Sequence, residues 1–378
     1  MIFNKYPFQS LVLSTPKIRG ILTSEYKECG KYPIIDQGNT FIAGYTNNEE
    51  VLYKDSLPVV IFGDHTLSLK FVDFPFCVGA DGTQILKPND RIIIGKYLYY
   101  SILHLNIQSL GYSRHFKVLK KAKFLVPPLE DQKRIVKILE TADALRQKRK
   151  LAITLLDDYI KSVFLDLFGD PISNPKGWET RTIEYLVKKE KHSIKRGPFG
   201  GSLKKEIFVD QGYLVYEQFH ALNNDFSMAR YFINEEKFQE LKAFEVKADD
   251  IIISCSGVYL GKLAIVPKNC KKGIINQALL KLTLDQSRMN NIFFVSVFSN
   301  KNFSNKYFGN KIGSGIPNFP PISEFKKFKF IFPPLDLQDI YADIVQKTES
   351  LKQSMLIQSA ELDTQFQSLL QSSFRGEL

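Results

Sequence analysis

The chain carries nearly the same long-helix element twice, 206 residues apart. Pro127-Pro128-Leu129-Glu130-Asp131-Gln132 opens the first copy, and Pro333-Pro334-Leu335-Asp336-Leu337-Gln338 opens the second. A basic, aromatic segment precedes each (Lys120–Phe124 and Lys326–Phe330). Roughly forty residues of helical periodicity follow, closing at Leu167-Phe168-Gly169 and Ser373-Phe374-Arg375-Gly376. Solenoid repeats run ~20–50 residues, so this period is too long for one. It predicts two tandem halves, each a globular module followed by a long helix.

The apolar seam of the first helix reads Ile135, Ile138, Ala142, Leu145, Arg149, Ala152, Leu156, Tyr159, Val163. That of the second reads Tyr341, Ile344, Thr348, Leu351, Met355, Gln358, Leu362, Phe366, Leu369. Steps alternating mostly between three and four are the coiled-coil pattern. Proline at the entrance costs no helical hydrogen bond. Glu130, Asp131, Asp336 and Asp339 suit the positive end of the helix dipole. Polar seam positions at Arg149, Thr348 and Gln358 are expected to fix register. Forty residues of helix span about 60 Å, more than one module can cover. The first helix carries the chain from module one to module two, and the second carries it back. Two equivalent halves are then most simply related by a pseudo-twofold axis. The expected fold is α+β: two β-rich domains separated by two long antiparallel coiled-coil helices, as a pseudo-twofold dumbbell. Module one is expected at 1–126, the first helix at 127–170, module two at 171–332 and the second helix at 333–378.

Both modules contain short β-like runs punctuated by glycine and asparagine, such as Leu57–Phe62, Arg91–Ile94, Asp250–Ser254 and Lys262–Val266. Val59–Gly63 resembles Ile252–Gly257 in position and pattern. Module one is expected to lack a counterpart of the opening of module two, Trp178 to Arg196. A net charge of +11 and a pI near 9.2 call for an anionic partner. No apolar run reaches the ~18–20 residues of a membrane span, and no signal-peptide pattern opens the chain. Cys29, Cys77, Cys255 and Cys270 lack CxxC spacing and read as reduced thiols rather than a disulfide frame or zinc site. Nucleic acid is therefore preferred over membrane, and a cytoplasmic location is expected.

Catalytic motifs are wanting. There is no GxGxxG or Walker loop. Asn318-Phe319-Pro320-Pro321 has the wrong order for an adenine-methylation motif. Glu245-Val246-Lys247 has nuclease-like spacing without an upstream acidic partner and reads as a solvated face. Asp64-His65 has no nucleophile beside it. No catalytic residue, metal site or cofactor is expected in this chain. The loops suit DNA instead: Lys195 to Lys205, Lys311 to Asn318, and Gly111 to His115 combine cations or polar side chains with glycines that permit close approach to phosphate. Arginine can bind guanine through two hydrogen bonds, as asparagine or glutamine can adenine. The candidate DNA contacts are Lys195, Arg196, Lys204, Lys205, Lys311, Ser314, Asn318, Tyr112, Ser113, Arg114, His115 and His65. Leu139, Leu155 and Leu370, lying beyond the seams, are candidate partner contacts.

This arrangement resembles the specificity subunit of type I restriction-modification systems. The resemblance rests on the two Pro-Pro-Leu-x-x-Gln entrances, Gly63-Asp64-His65, the Phe74–Thr83 stretch with Gly79-Ala80-Asp81-Gly82-Thr83, and Arg196–Gly200, in this order. It covers essentially the whole chain. It implies that the modules are target-recognition domains, each reading half of a split site on double-stranded DNA, and that the helices are spacers setting the gap. It further implies that two adenine methyltransferase subunits dock on the helices and that motor-nuclease subunits join for cleavage. S-adenosylmethionine, ATP and Mg would then belong to those partners. Two other classes remain: a single-chain nuclease or methylase, and a basic scaffold for acidic proteins or RNA. Incubation of the chain alone with DNA and S-adenosylmethionine tests the first. Salt-dependent, sequence-selective duplex binding tests the second.

Overall fold

The computed structural model describes residues 3–15, 18–79, 81–111, 113–257, 259–309 and 319–377. The chain divides into two compact units, one formed by Met1–Ala152 with Met355–Leu378 and the other by Ile153–Ser354. Each therefore holds one module together with part of both long helices.

In unit one the chain runs through β1 (Asn4–Pro7), α1 (Phe8–Leu11), β2 (Val12–Leu13), β3 (Tyr32–Ile35), β4 (Gly44–Thr46), β5 (Val59–Gly63), β6 (Leu69–Val72), β7 (Cys77–Val78), β8 (Thr83–Pro88), α2 (Gly95–His104), α3 (Phe116–Lys121) and β9 (Lys123–Val126) into α4 (Leu129–Phe168). A four-stranded sheet has the order β2-β8-β5-β6, a three-stranded sheet the order β4-β3-β7, and β1 pairs with β9. β5 is buried throughout, because its alternating side chains serve two cores. Val60 and Phe62 pack with α2 and the long helices, while Val59 and Ile61 pack with Ile35 and Val78 of the second sheet and with Phe76 just before β7.

Unit two continues with β10 (Thr180–Thr182), α5 (Ile183–Leu186), β11 (Ile194–Arg196), β12 (Tyr213–Tyr216), α6 (Gln218–Asn223), β13 (Phe232–Ile233), α7 (Glu235–Glu240), β14 (Glu245–Val246), β15 (Ile251–Ser254), β16 (Leu263–Ile265), β17 (Gly273–Ile275), β18 (Leu279–Leu282), α8 (Asn291–Phe298), α9 (Lys301–Phe308), α10 (Ile322–Phe325), β19 (Lys329–Ile331) and α11 (Leu335–Arg375). Its sheets are β11-β18-β15-β16 and β13-β12-β17-β14, with β10 on β19. The strand β12 pairs in parallel with β17, as β3 does with β7. The strand orders of unit one thus recur, except that β14 has no strand counterpart there and a single bridge between Leu52 and Cys77 stands in its place. The opening segment expected to be missing from module one is present: β1, α1 and β2 correspond to β10, α5 and β11. Only the connection is shorter, since β2 follows α1 directly whereas Val187–Ser193 separate α5 from β11.

The Pro-Pro-Leu-x-x-Gln entrances acquire a physical reason. Gln132 is buried; its Nε2 donates to Ile92 O (2.8 Å) and Pro127 O (2.9 Å), and its Oε1 accepts the Ile94 N–H (2.9 Å). Ile94 caps α2, so one amide ties the start of α2 to the start of α4. In unit two Gln338 does the same. It accepts from the N–H of Asn290, the cap of α8, at 2.9 Å and donates to Pro333 O at 2.8 Å. At the other helix ends, Gly169 and Gly376 adopt φ of +74° and +77°, the left-handed C-terminal cap that glycine takes without strain.

Within unit one, Ile135, Val136 and Leu139 of α4 share a core with Phe366, Leu370 and Phe374 of α11. Arg146 donates to Asp363 at 2.6 Å and lies 4.2 Å over the Phe366 ring. Ascending residues on one helix thus meet descending residues on the other, and the segments are antiparallel. Within unit two, Phe164 and Phe168 pack on Tyr341, and Lys352 donates to Asp157 at 2.5 Å. Arg146 and Lys352 are repeat-equivalent, as are Asp157 and Asp363, so each unit has the same cross-helix ion pair with the helices exchanging roles.

These contacts shift several positions of each expected seam by one residue. Ile135 is buried and Ala142, Arg149, Leu156 and Val163 are partly buried as expected, but Leu145 and Tyr159 are exposed while Arg146 and Ile160 beside them are partly buried, and Leu139 is more deeply buried than Ile138. On α11, Lys352 and Ser359 replace the exposed Leu351 and Gln358, and Val345 joins Ile344 in partial burial. Leu145, Tyr159 and Leu351 are left about half exposed. Leu139 and Leu370 are buried in the unit-one core and offer no surface to a partner, contrary to expectation. Leu155, 54% exposed, keeps that possibility.

Candidate nucleic-acid interface

In unit two, β11 and β15 both run antiparallel to β18, so their C-terminal ends lie at one edge. The two sheets meet at the short link between β17 and β18, residues 276–278: Asn276 N donates to Tyr216 O (2.9 Å), extending the β12–β17 pair, and Gly197 N donates to Leu279 O (2.8 Å), extending the β11–β18 pair. Gly197 must be glycine here, because a Cβ would sit 1.8 Å from Asn276 O. Gln218, just past β12, crosses between the sheets: its Nε2 donates to Ser254 Oγ (2.6 Å) and Ser256 O (2.7 Å). Phe319 N donates to Cys255 O at 3.0 Å, which places Phe319 beside this edge.

Arg196 is half-buried at this edge. Its guanidinium lies 5.8 Å from the ring of Phe199, which is 72% exposed, and its Nε is buried without a hydrogen-bond partner. Burial pushes the neighbouring Cys255 thiol up to about 12, with the Arg196 charge pulling the other way. Lys195 belongs to the opposite face of the strand and stacks over Phe244 at 4.7 Å, so the two cations do not act together. Lys204 and Lys205 are exposed. Lys311, Ser314, Asn318 and, in unit one, Tyr112 lie outside the described residues.

Unit one assembles the corresponding edge. Gln37, just past β3, accepts the His65 N–H on Oε1 (3.2 Å), donates from Nε2 to Asp81 O (2.7 Å), and its carbonyl accepts from the Thr66 hydroxyl. Asp64 N donates to Gly82 O (2.8 Å), and the Asp64 carboxylate accepts the Phe116 N–H (2.8 Å) at the start of α3. Buried Lys70 donates to Asp36 O (2.9 Å) and Thr40 O (2.6 Å), which pins the loop after β3 from below. His65 and Ser113 are half-buried and Arg114 is exposed.

His115, expected on the DNA face, is fully buried. Its Nε2 accepts the Leu110 N–H (2.9 Å), so its Nδ1 carries the proton and donates to Asp64 O (2.9 Å). Both its nitrogens are engaged inside the protein, and it serves as a brace for the loop. Asp64 is likewise an anchor rather than half of an acid-base pair. Glu245 pairs with Lys242 at 3.3 Å, and the Lys247 N–H caps Asp250 at 2.8 Å. Among the described residues no cluster of His, Cys, Asp and Glu could hold a metal, and no helix is long and apolar enough to cross a membrane.

Gln37 and Gln218 were absent from the residues expected from sequence. The signal is short but present: each follows an acidic residue directly after a buried strand, in Ile35-Asp36-Gln37 and Tyr216-Glu217-Gln218.

The model of the type I restriction modification DNA specificity domain matches residues 17–155 and 175–361, one match per half. The Escherichia coli type I restriction enzyme EcoR124I/EcoR124II specificity subunit is 34% identical over 82 residues, covering 21% of this chain and 20% of that protein. Among solved structures, the S subunit of a type I restriction-modification system from M. genitalium aligns with a TM-score of 0.59 at 15% identity, over 99% of this chain and 96% of that one. A chain from work on complex assembly and conformational transition of the type I R-M system aligns with the same TM-score at 13% identity, over 100% and 98%. These two likenesses bear on the fold. The family match spans both halves of the repeat, and the chain belongs to the type I restriction-modification DNA specificity family.

Proposed function

We propose that this chain is the non-catalytic, DNA-reading subunit of a type I restriction-modification assembly in the cytoplasm. Each unit reads one half of a split site on double-stranded DNA, and the long helices set the spacing between halves. Two adenine methyltransferase subunits dock on those helices, motor-nuclease subunits join for cleavage, and S-adenosylmethionine, ATP and Mg are bound by these partners. The observation that carries this reading is the loop edge repeated in both units, held by Gln37 in one and Gln218 in the other, with His65 and Arg114 on the first and Arg196 on the second. Arginine is the side chain that pairs bidentately with a guanine edge, and the charge of +11 favours the phosphate backbone.

Two copies of one partner are supported by exposed apolar residues at repeat-equivalent helix positions. Leu145 and Leu351 are 53% and 48% exposed, Leu151 and Ile357 59% and 64%. Mapping methylated adenines in the host genome, with and without this gene, tests the proposal. A gapped methylated sequence should vanish on deletion, and its survival would overturn the proposal.

A further inference from the structure

Both modules place a glutamine one residue beyond an acidic position at the C-terminal end of the strand that enters a parallel pair, β3 in one and β12 in the other. In both, the amide spans loops that belong to the candidate reading edge. Gln37 holds the His65 backbone with its oxygen and the Asp81 backbone with its nitrogen. It therefore couples the loop after β5 to the loop before β8. Gln218 spends its two N–H groups on Ser254 Oγ and Ser256 O, coupling the turn into α6 to the loop after β15. That loop packs beside Arg196 and receives the Phe319 N–H. Neither glutamine joins a hydrophobic core, and both are half-buried. The anchoring of the helices is done elsewhere, by Gln132 and Gln338. What Gln37 and Gln218 hold is the relative position of loops.

From this matched placement we infer that Gln37 and Gln218 are positioning residues for sequence discrimination, each setting the loop geometry that reads its own half-site. The inference rests on the DNA-reading role proposed above. Discrimination by hydrogen bonds to base edges depends on donors and acceptors being held to within a few tenths of an ångström. Affinity from phosphate contacts tolerates looser loops. Releasing one staple should therefore blur one half of the recognised sequence while leaving the other half, general DNA affinity and the fold in place.

The test selects the purified full-length chain, and its Gln37→Ala and Gln218→Ala variants, against a pool of random-sequence duplex DNA and sequences the bound fraction. The unaltered chain should enrich a two-part sequence. Each variant should lose roughly tenfold of base preference, the scale of one bidentate base contact, at positions in one half only, and the two variants should affect opposite halves. Thermal unfolding recorded on the same samples should be unchanged. Ser254→Ala, which removes one of the two acceptors of Gln218, should blur the same half as Gln218→Ala but less. It decides the matter should Gln218→Ala unfold. An unchanged profile in stable variants, or blurring of both halves by either one, overturns the inference and leaves the DNA-reading role standing. Failure of the unaltered chain to select any sequence overturns that role, and this inference with it.

Discussion

Replacing Gln132 by alanine should loosen the junction between module one and its long helix, by an amount that follows from its hydrogen bonds. The side chain is 1% exposed and makes three bonds of 2.8–2.9 Å. Alanine leaves the Ile94 N–H unpartnered in a site closed to water, at a cost of about 1–3 kcal/mol. Ile92 O and Pro127 O lose a donor each, and carbonyls with a second lone pair bear this more lightly. The combined loss should be about 3 kcal/mol. For a body of this size that lowers the unfolding midpoint by roughly 6–12 °C. Calorimetry on the full chain reads the shift. Hydrogen exchange of peptides covering residues 92–105 locates it, because the Ile94 amide should become rapidly exchanging. A fall below about 1 kcal/mol, with protection at the start of α2 intact, would refute the reasoning. Gln338→Ala should act likewise on α8, somewhat more weakly, because its third bond, to Arg288 O, is long at 3.4 Å.

The other expectations concern the helices and the reading edge. Leu139→Ala should cost about 2–5 kcal/mol by urea unfolding, whereas Leu155→Asp should keep full helicity by circular dichroism and lose co-purification with a methyltransferase subunit; lost helicity in the latter would remove it from any interface. Asp363, bonded to the Arg146 guanidinium, is held below the usual carboxylate range. A lowered folded-state pKa stabilises above the unfolded value and is lost as pH falls through the folded one. Unit one should accordingly weaken as pH drops below about 4, and Asp363→Asn should flatten that acid limb in pH-dependent melting. Lys204→Ala and Lys205→Ala should each reduce the slope of log affinity against log salt by about one unit on any duplex. Arg196→Ala should cost ~1–3 kcal/mol on the selected sequence and little on random DNA. Titrations with no change in all three would move the binding face off this edge.

Much of the design was written locally. The double-proline entrances, the period of the helices and the two strand-rich modules are features of neighbouring residues, and neighbours decide helix starts and amphipathic faces. The 206-residue repeat then required each half to be built alike, which the matching strand orders bear out. Coiled-coil spacing nonetheless defines a stripe only to within about one residue. Leu145 and Arg146 differ by 100° around the axis, and hydropathy alone favours the leucine. Arg146 faces inward because Asp363 and Phe366 from the distant helix supply a carboxylate and a ring to meet it.

The same distinction separates the two histidines at the proposed reading edge. His65 and His115 look equally available in sequence. Only the fold brings the Leu110 amide and the Asp64 carbonyl onto His115 and buries it, while Gln37, 28 positions before His65, proves to hold its loop. What the sequence determined by itself was the plan of two strand-rich modules each followed by a long helix, with the entrances and polarity of those helices, because these depend on local sterics and periodicity; the opening β1, α1 and β2 of module one were not legible there. What tertiary structure alone decided was which polar side chains are consumed inside the protein and which remain at its edge. That choice rests on hydrogen-bond partners far away along the chain, which no local pattern can specify.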